Sequence, residues 1–343
     1  MAELPLGSPE PVTTFPLAND VVLIPVFNDW ESLALLIPQL DKSLSSASRT
    51  AELILVDDCS VVRPAELAIA EPLTAIRSID VVTLARNLGD QRAIAIGLSY
   101  IAMRRPCRAV VVMDGDGEDM PSDVPRLLDA FDQTEGKRVV FAKRTRRPDD
   151  ALFALFYRLY RMVHWLLTGI RVEVGNFSVV PYAVVRKLAV VSEMWNHYAA
   201  AVTHARVSTT LVPTVPGKRL AGPPAVSFVS VVAHGLSAMS VLAETIGVRL
   251  LATTGILMGL LYIALVVVGS MRYLTDLAIP AWTTVALGVL AVLLIQTAIL
   301  SMVFMFMILI GRASVSFVPA REYELFVDSV KRVWEKRALA RVL

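Results

Sequence analysis

Three apolar runs in this sequence end in polar side chains that could bind a charged ligand. Residues 21–24 lead into Pro25-Val26-Phe27-Asn28-Asp29, residues 53–56 into Asp57-Asp58-Cys59-Ser60, and residues 109–113 into Asp114-Gly115-Asp116-Gly117-Glu118-Asp119-Met120-Pro121. The Asp-x-Asp spacing suits a hard divalent cation, which takes oxygen ligands; Mg²⁺ in particular is held by one or two carboxylates and completed by substrate phosphates. Asp116 and Glu118 fall on one side of an extended turn, and Gly115 and Gly117 permit close approach. An acidic turn capping a helix that starts near Ser122 has the same composition, but here the turn follows a run that reads as a buried strand, which favours the cation. A basic run, Lys143-Arg144-Thr145-Arg146-Arg147, follows the next strand. It is either a solvated face or a counter-charge for phosphate, with Lys143, Arg144 and Arg146 the candidates.

These tips need a scaffold that brings strand ends together. Apolar β-branched runs at 21–25, 52–56, 81–85, 109–113 and 139–142 alternate with helical patterns at 31–44, 66–70, 90–102 and 125–131. Strand and helix repeated in this way predict an α/β domain with a mostly parallel sheet covered on both faces, and such sheets bind ligands at the carboxyl ends of their strands. Further on, 151–167 reads as a helix and 173–180 as another strand. Pro213, Pro216, Pro223 and Pro224 bracket a loop carrying Lys218 and Arg219.

Composition shifts in the last third of the chain. Of 343 residues, 55% are hydrophobic and 19% charged, against about 45–50% and about 25% in an ordinary soluble domain. The excess lies in two uncharged stretches, 250–271 and 281–311, each able to cross a hydrocarbon core, which takes about 20 apolar residues. The expected organisation is an N-terminal tail (1–19), an α/β domain (20–225), an interfacial amphipathic helix (226–249), two transmembrane helices and a basic C-terminal tail (312–343). Residues 1–19 have neither the basic nor the apolar region of a signal peptide. Arg249, Arg312 and the cations of the tail place the domain and both ends in the cytoplasm, with Arg272 a small vote against. A net charge of +2 excludes a nucleic-acid partner, and two cysteines, Cys59 and Cys107, exclude a disulfide scaffold or a zinc site. The membrane stretches hold no ionisable residue for an ion path, which excludes a transporter.

Taken in order, four motifs resemble family 2 glycosyltransferases of the GT-A (Rossmann-like) fold, in the group that transfers sugars to polyprenyl phosphate and carries two C-terminal spans, similar to dolichyl-phosphate mannose synthases. They are Pro25-Val26-Phe27-Asn28-Asp29, Val56-Asp57-Asp58-Cys59-Ser60, Arg86-Asn87-Leu88-Gly89 with 93–97, and the Asp114 to Pro121 turn. The resemblance implies that Pro25, Phe27, Asn28 and Asp29 line a nucleotide-sugar pocket with Asp57, Asp58, Gly89, Gln91, Asp114 and Gly115. It further implies that Asp114, Asp116 and Glu118 hold Mg²⁺ or Mn²⁺ on the nucleoside diphosphate, and that similar proteins form homo-oligomers. Glu118 stands where the family often has Gln.

Two departures matter. The family's usual base is an Asp where this chain has Gly175-Asn176-Phe177-Ser178, and an amide cannot accept a proton at neutral pH. A phosphate acceptor, with a second pKa of about 6, is already a nucleophile, whereas an alcohol would need a substitute such as Asp119 or Asp123. Pro223-Pro224-Ala225 replaces an expected Ser-Lys. The function expected is inverting, metal-dependent transfer from a UDP- or GDP-sugar to polyprenyl phosphate. The alternatives are another lipid or cell-wall acceptor, or a non-catalytic subunit that binds a lipid-linked sugar.

Overall fold

Both faces of the central strands are buried, because their side chains alternate between two cores. In β1 (Asp20–Val26), Val21 and Leu23 enter one core, and Val22 and Ile24 the other. β2 (Ala51–Asp57) and β4 (Ala109–Val112) divide in the same way, which explains their unbroken apolar runs. The computed structural model describes residues 19–62, 72–145, 161–169, 174–222, 235–274, 280–313 and 317–336. β3 (Ile76–Leu84), β5 (Val139–Arg144), β6 (Ser178–Pro181), β7 (Thr209–Thr214) and β8 (Val327–Glu335) complete an eight-stranded sheet of order β7-β5-β6-β4-β1-β2-β3-β8. The sheet is mixed and mostly parallel: β6 runs antiparallel to β4 and β5, and β8 antiparallel to β3.

α1 (Trp30–Ser46) and α3 (Asp123–Gln133) cover one face, the former through Leu33, Leu36, Ile37, Leu40 and Leu44, all fully buried. Each such side chain contributes about 1.5–3 kcal/mol. α2 (Asp90–Arg104) and the helices Tyr182–Leu188 and Tyr198–His204 cover the other face. Gly97 lets α2 settle onto β1 and β2, since a Cβ there would stand 2.5 Å from Leu23 Cδ1 and 2.8 Å from Val56 Cγ2.

Two strands lie outside the expected pattern. β7, of which Pro213 and Thr214 fall in the expected proline-bracketed loop, is an edge strand that among the described residues pairs with β5 alone, so Pro213 withholds no ladder bond the sheet needs. The basic tail expected at 312–343 instead returns to the sheet as β8, where Arg332 and Arg105 both pair with the buried Asp80 of β3. The helix expected at 66–70 lies outside the described residues, as does most of the one at 151–167, of which 161–168 is helical.

The helices Ala243–Leu274 and Pro280–Ala313 form an antiparallel hairpin joined by a 2.7 Å hydroxyl bond from Ser301 to Thr254. Each holds a 30-residue segment, Ala243–Arg272 and Trp282–Gly311, in whose most apolar part almost no residue is buried, unlike the core helix of a soluble protein. At 1.5 Å per residue each is about 45 Å long, beyond the roughly 30 Å a span needs. Of the interfacial helix expected at 226–249, residues 226–234 lie outside the described residues, 235–240 are helical, and a turn at 241–242 precedes the long helix, which runs unbroken from Ala243 through Arg249 into the span. Gly97→Ala is expected to cost about 1–3 kcal/mol by overpacking, read as a lower thermal midpoint in detergent by circular dichroism.

Candidate active site at the carboxyl edge of the sheet

β1, β2 and β4 are parallel, so the three polar tips emerge together. β1 outruns β4, whose pairing with it ends at Leu23 and Val112. Pro25, two residues past Leu23, therefore turns its missing N–H toward a position where no partner strand remains. Phe27 projects half-exposed at the tip. Asn28 adopts φ 53°, a left-handed conformation that Asn tolerates. Its Oδ1 accepts the Val61 N–H at 2.8 Å and its own N–H donates to Ser60 Oγ at 2.9 Å, tying the first tip to the second.

The adjacent aspartates differ in use. Asp57 is fully buried and accepts the Ser60 N–H at 3.0 Å, shaping the turn. Asp58 reaches the N-terminal end of α2, its two oxygens accepting the Leu88 and Gly89 N–H groups at 2.7 Å each. Burial pushes the Asp58 carboxyl up even so. Gly89, with φ 91°, makes the turn into α2 that this capture requires. Gln91 then links three elements: its Oε1 accepts the Tyr198 N–H at 2.8 Å, and its Nε2 donates to Asn176 Oδ1 at 3.0 Å and to Asp90 Oδ2 at 2.9 Å. Asn176 Nδ2 lies 3.5 Å from Asp114 Oδ1. The residue expected at the base position is thus in the site, held as an amide.

The Asp114 to Asp119 turn is folded by its own carboxylates. Asp119 Oδ2 accepts the Asp114 N–H at 3.0 Å, and Asp116 Oδ1 accepts the Glu118 N–H at 2.9 Å. Gly115 lies so close to β1 that a Cβ would come within 3.0 Å of Ile24 Cγ2. Of the basic run, Arg144 meets this turn, at 3.1 Å from Glu118 Oε2 and 3.3 Å from Asp119 Oδ1. Lys143 precedes it on β5, and Arg146 lies outside the described residues.

Sequence reasoning missed Arg219, whose guanidinium stands 2.6 Å from Asp29 Oδ2 and 3.1 Å from Asp116 Oδ2. Nothing in its surroundings distinguishes it from Lys218 until the chain is folded.

Burial, then Asp119, Asp116 and Asp90, push the Asp114 carboxyl up to about 8, and burial also raises Asp119. So many carboxylates close together call for a cation. Among the described residues no three acidic, His or Cys side chains are grouped so as to hold a metal ion, so Asp114, Asp116 and Glu118 do not form the expected set of three, and Glu118 faces Arg144 instead. Asp114 and Asp116 nevertheless fit a divalent ion of the kind whose remaining ligands are substrate phosphates.

An aspartate with a raised folded-state pKa keeps its proton longer when folded. Its contribution to stability therefore falls as pH climbs from the ordinary Asp range toward that value. In metal-free buffer, Asp114→Asn is expected to raise the thermal midpoint more near about pH 8 than near about pH 5, measured by differential scanning fluorimetry. An equal change at both pH values would contradict the burial effect.

Residues 21–188 match the family model for glycosyl transferase family 2. Among curated proteins, the chain is 33% identical over 135 residues to the undecaprenyl-phosphate 4-deoxy-4-formamido-L-arabinose transferase of Salmonella choleraesuis, covering 39% of each chain. It is 28% identical over 192 residues to the protein of that name in Yersinia enterocolitica, covering 56% of this chain and 53% of the relative. The chain thus spans from about two fifths to about half the length of these two relatives. Glucosyl-3-phosphoglycerate synthase from Mycobacterium tuberculosis, solved with Mn²⁺, UDP-glucose and phosphoglyceric acid, is 18% identical. That match covers 67% of this chain and 80% of the synthase, with a TM-score of 0.45.

Proposed function

We infer, from the match of residues 21–188 to the glycosyl transferase family 2 model, that the protein transfers a sugar from a UDP- or GDP-sugar to polyprenyl phosphate at the cytoplasmic face of a membrane, with inversion at the sugar carbon. The observation that carries this reading is Asn176 beside Asp114. Beside the acidic turn stands an amide fixed by Gln91, which cannot take a proton, and this favours an acceptor that arrives as its own nucleophile. A lipid phosphate, largely dianionic near pH 7, does so. The relatives' names, with undecaprenyl phosphate as acceptor, and two outward-facing apolar helices support a lipid substrate.

In this reading the tip formed by Phe27, Asn28 and the Ser60 turn receives the nucleoside, and Gly89 leaves the wall of the pocket open. Asp114 and Asp116 hold the diphosphate through Mg²⁺ or Mn²⁺, which supplies positive charge for the departing group. Glu118 and Asp119 hold Arg144 at the edge of the turn, where its guanidinium meets phosphate oxygens of donor or acceptor. Asp119, with one oxygen on the Asp114 N–H and the other facing Arg144, keeps the turn in shape. Arg321, Lys331, Arg332 and Lys336 lie on the domain's side of the hairpin, which supports the cytoplasmic orientation.

The test is transfer of label from a panel of UDP- and GDP-sugars into the organic phase by the detergent-purified chain with undecaprenyl phosphate and Mn²⁺ or Mg²⁺. One donor is expected to label the lipid, and Asp116→Ala is expected to lower the rate by at least about 10²-fold. No labelled lipid from any donor, or an undiminished rate in the variant, would overturn the reading.

A further inference from the structure

Asp29 occupies the N-cap position of α1, where a carboxylate ordinarily accepts a backbone N–H of the first turn, yet its side chain caps nothing. Arg219 has taken it. The guanidinium bridges Asp29 and Asp116, carboxylates delivered by the ends of two different strands, β1 and β4. Its Nε is buried without a hydrogen-bond partner, a costly state for a donor taken out of water.

The segment carrying Arg219 is seated on the acidic turn itself. The Leu220 N–H donates to the Asp116 carbonyl at 2.9 Å and the Gly217 N–H to the Glu118 carbonyl at 2.8 Å, while Ser32 Oγ donates to the Ala221 carbonyl at 3.3 Å. The contact is close on both sides. A Cβ on Gly117 would stand 2.5 Å from Leu220 Cγ, and one on Gly217 would collide with the Gly117 carbonyl oxygen.

We propose that Arg219 is a donor-site residue that holds the place of the divalent cation in the substrate-free protein: cation and diphosphate enter by displacing its guanidinium from Asp116, and the displaced guanidinium then binds a diphosphate oxygen. The proposal rests on the reading of Asp116 as a cation ligand given above. A divalent ion on Asp116 Oδ2 would repel the guanidinium held there at 3.1 Å, so the empty and loaded states exchange a single positive charge for a double one and the carboxylates are never left bare. Arg is suited to the second half of the exchange, since its planar fork matches carboxylate and phosphate alike.

The experiment titrates Mn²⁺ alone, and then UDP in its presence, into the full chain in detergent, reading free Mn²⁺ by electron paramagnetic resonance. Arg219→Gln is expected to bind Mn²⁺ about tenfold more tightly than the unaltered protein and UDP more weakly. Gly217→Ala lifts the segment while keeping the guanidinium, so it should tighten Mn²⁺ binding and retain UDP; it also carries the test if Arg219→Gln fails to fold. Unchanged or weaker Mn²⁺ binding in both variants overturns the proposal. If the unaltered protein still transfers sugar with Mn²⁺, only this inference falls. If none of the proteins binds Mn²⁺, the cation reading falls with it.

Discussion

The capture of two backbone N–H groups by the Asp58 carboxylate organises the site. Asp58 directly follows β2, and Leu88 and Gly89 lead into α2, so this contact sets where α2 begins and which way its first turn faces. Gln91 in that turn then reaches both Asn176 and the Tyr198 backbone. Tyr198 in turn shares its hydroxyl with Ser178 Oγ at 2.6 Å inside the core. A chain of bonds therefore runs from the end of β2, through α2, to the residue that stands beside Asp114. A carboxylate serves better than an amide at position 58, because it offers acceptors on both oxygens to two adjacent donors.

The second constraint is charge. Asp29, Asp58, Asp90, Asp114, Asp116, Glu118 and Asp119 gather at one edge of the sheet, and the raised carboxyls of Asp58, Asp114 and Asp119 report the cost of burial and mutual repulsion. Arg144, at the end of β5, offsets it at Glu118 and Asp119, and Arg219, from the segment after β7, at Asp29 and Asp116. Both are guanidinium groups whose carboxylate partners mimic the phosphate oxygens of a nucleotide. On the proposed function, a site that stabilises a departing diphosphate would thus carry its own counter-charges before substrate arrives.

The sequence was most informative where local pattern and tertiary environment agree. The central strands are apolar on both faces because both faces are covered, and their polar tips stand out for that reason. β7 and β8 lie at the edges of the sheet, where one side of each strand meets water, and their threonines, prolines and charges read as loop and tail. Whether β8 forms depends on β3, some 250 positions away, presenting Asp80 to Arg332. No local periodicity carries that information. Arg219 is hidden for the same reason, since its role comes from Asp29 and Asp116, 190 and 103 residues distant.

The position of β8 also bears on how the membrane hairpin and the site work together. Two spans return the chain to the side from which it left, and the returning segment is hydrogen-bonded into the same sheet that carries the acidic turn. Trp195, Phe317 and Phe326 pack together just beyond the second long helix, with the Arg92 guanidinium over Trp195. Arg92 belongs to the first turn of α2, one residue after Gln91. The hairpin is therefore joined to the domain at both ends, and at the second end through the same helix that positions Asn176. The lipid acceptor of the proposed function would move in the plane of the membrane, and its phosphate would reach only a limited distance from it. Joining the spans to α2 fixes the height of the site above that plane, which a single flexible tether would leave free.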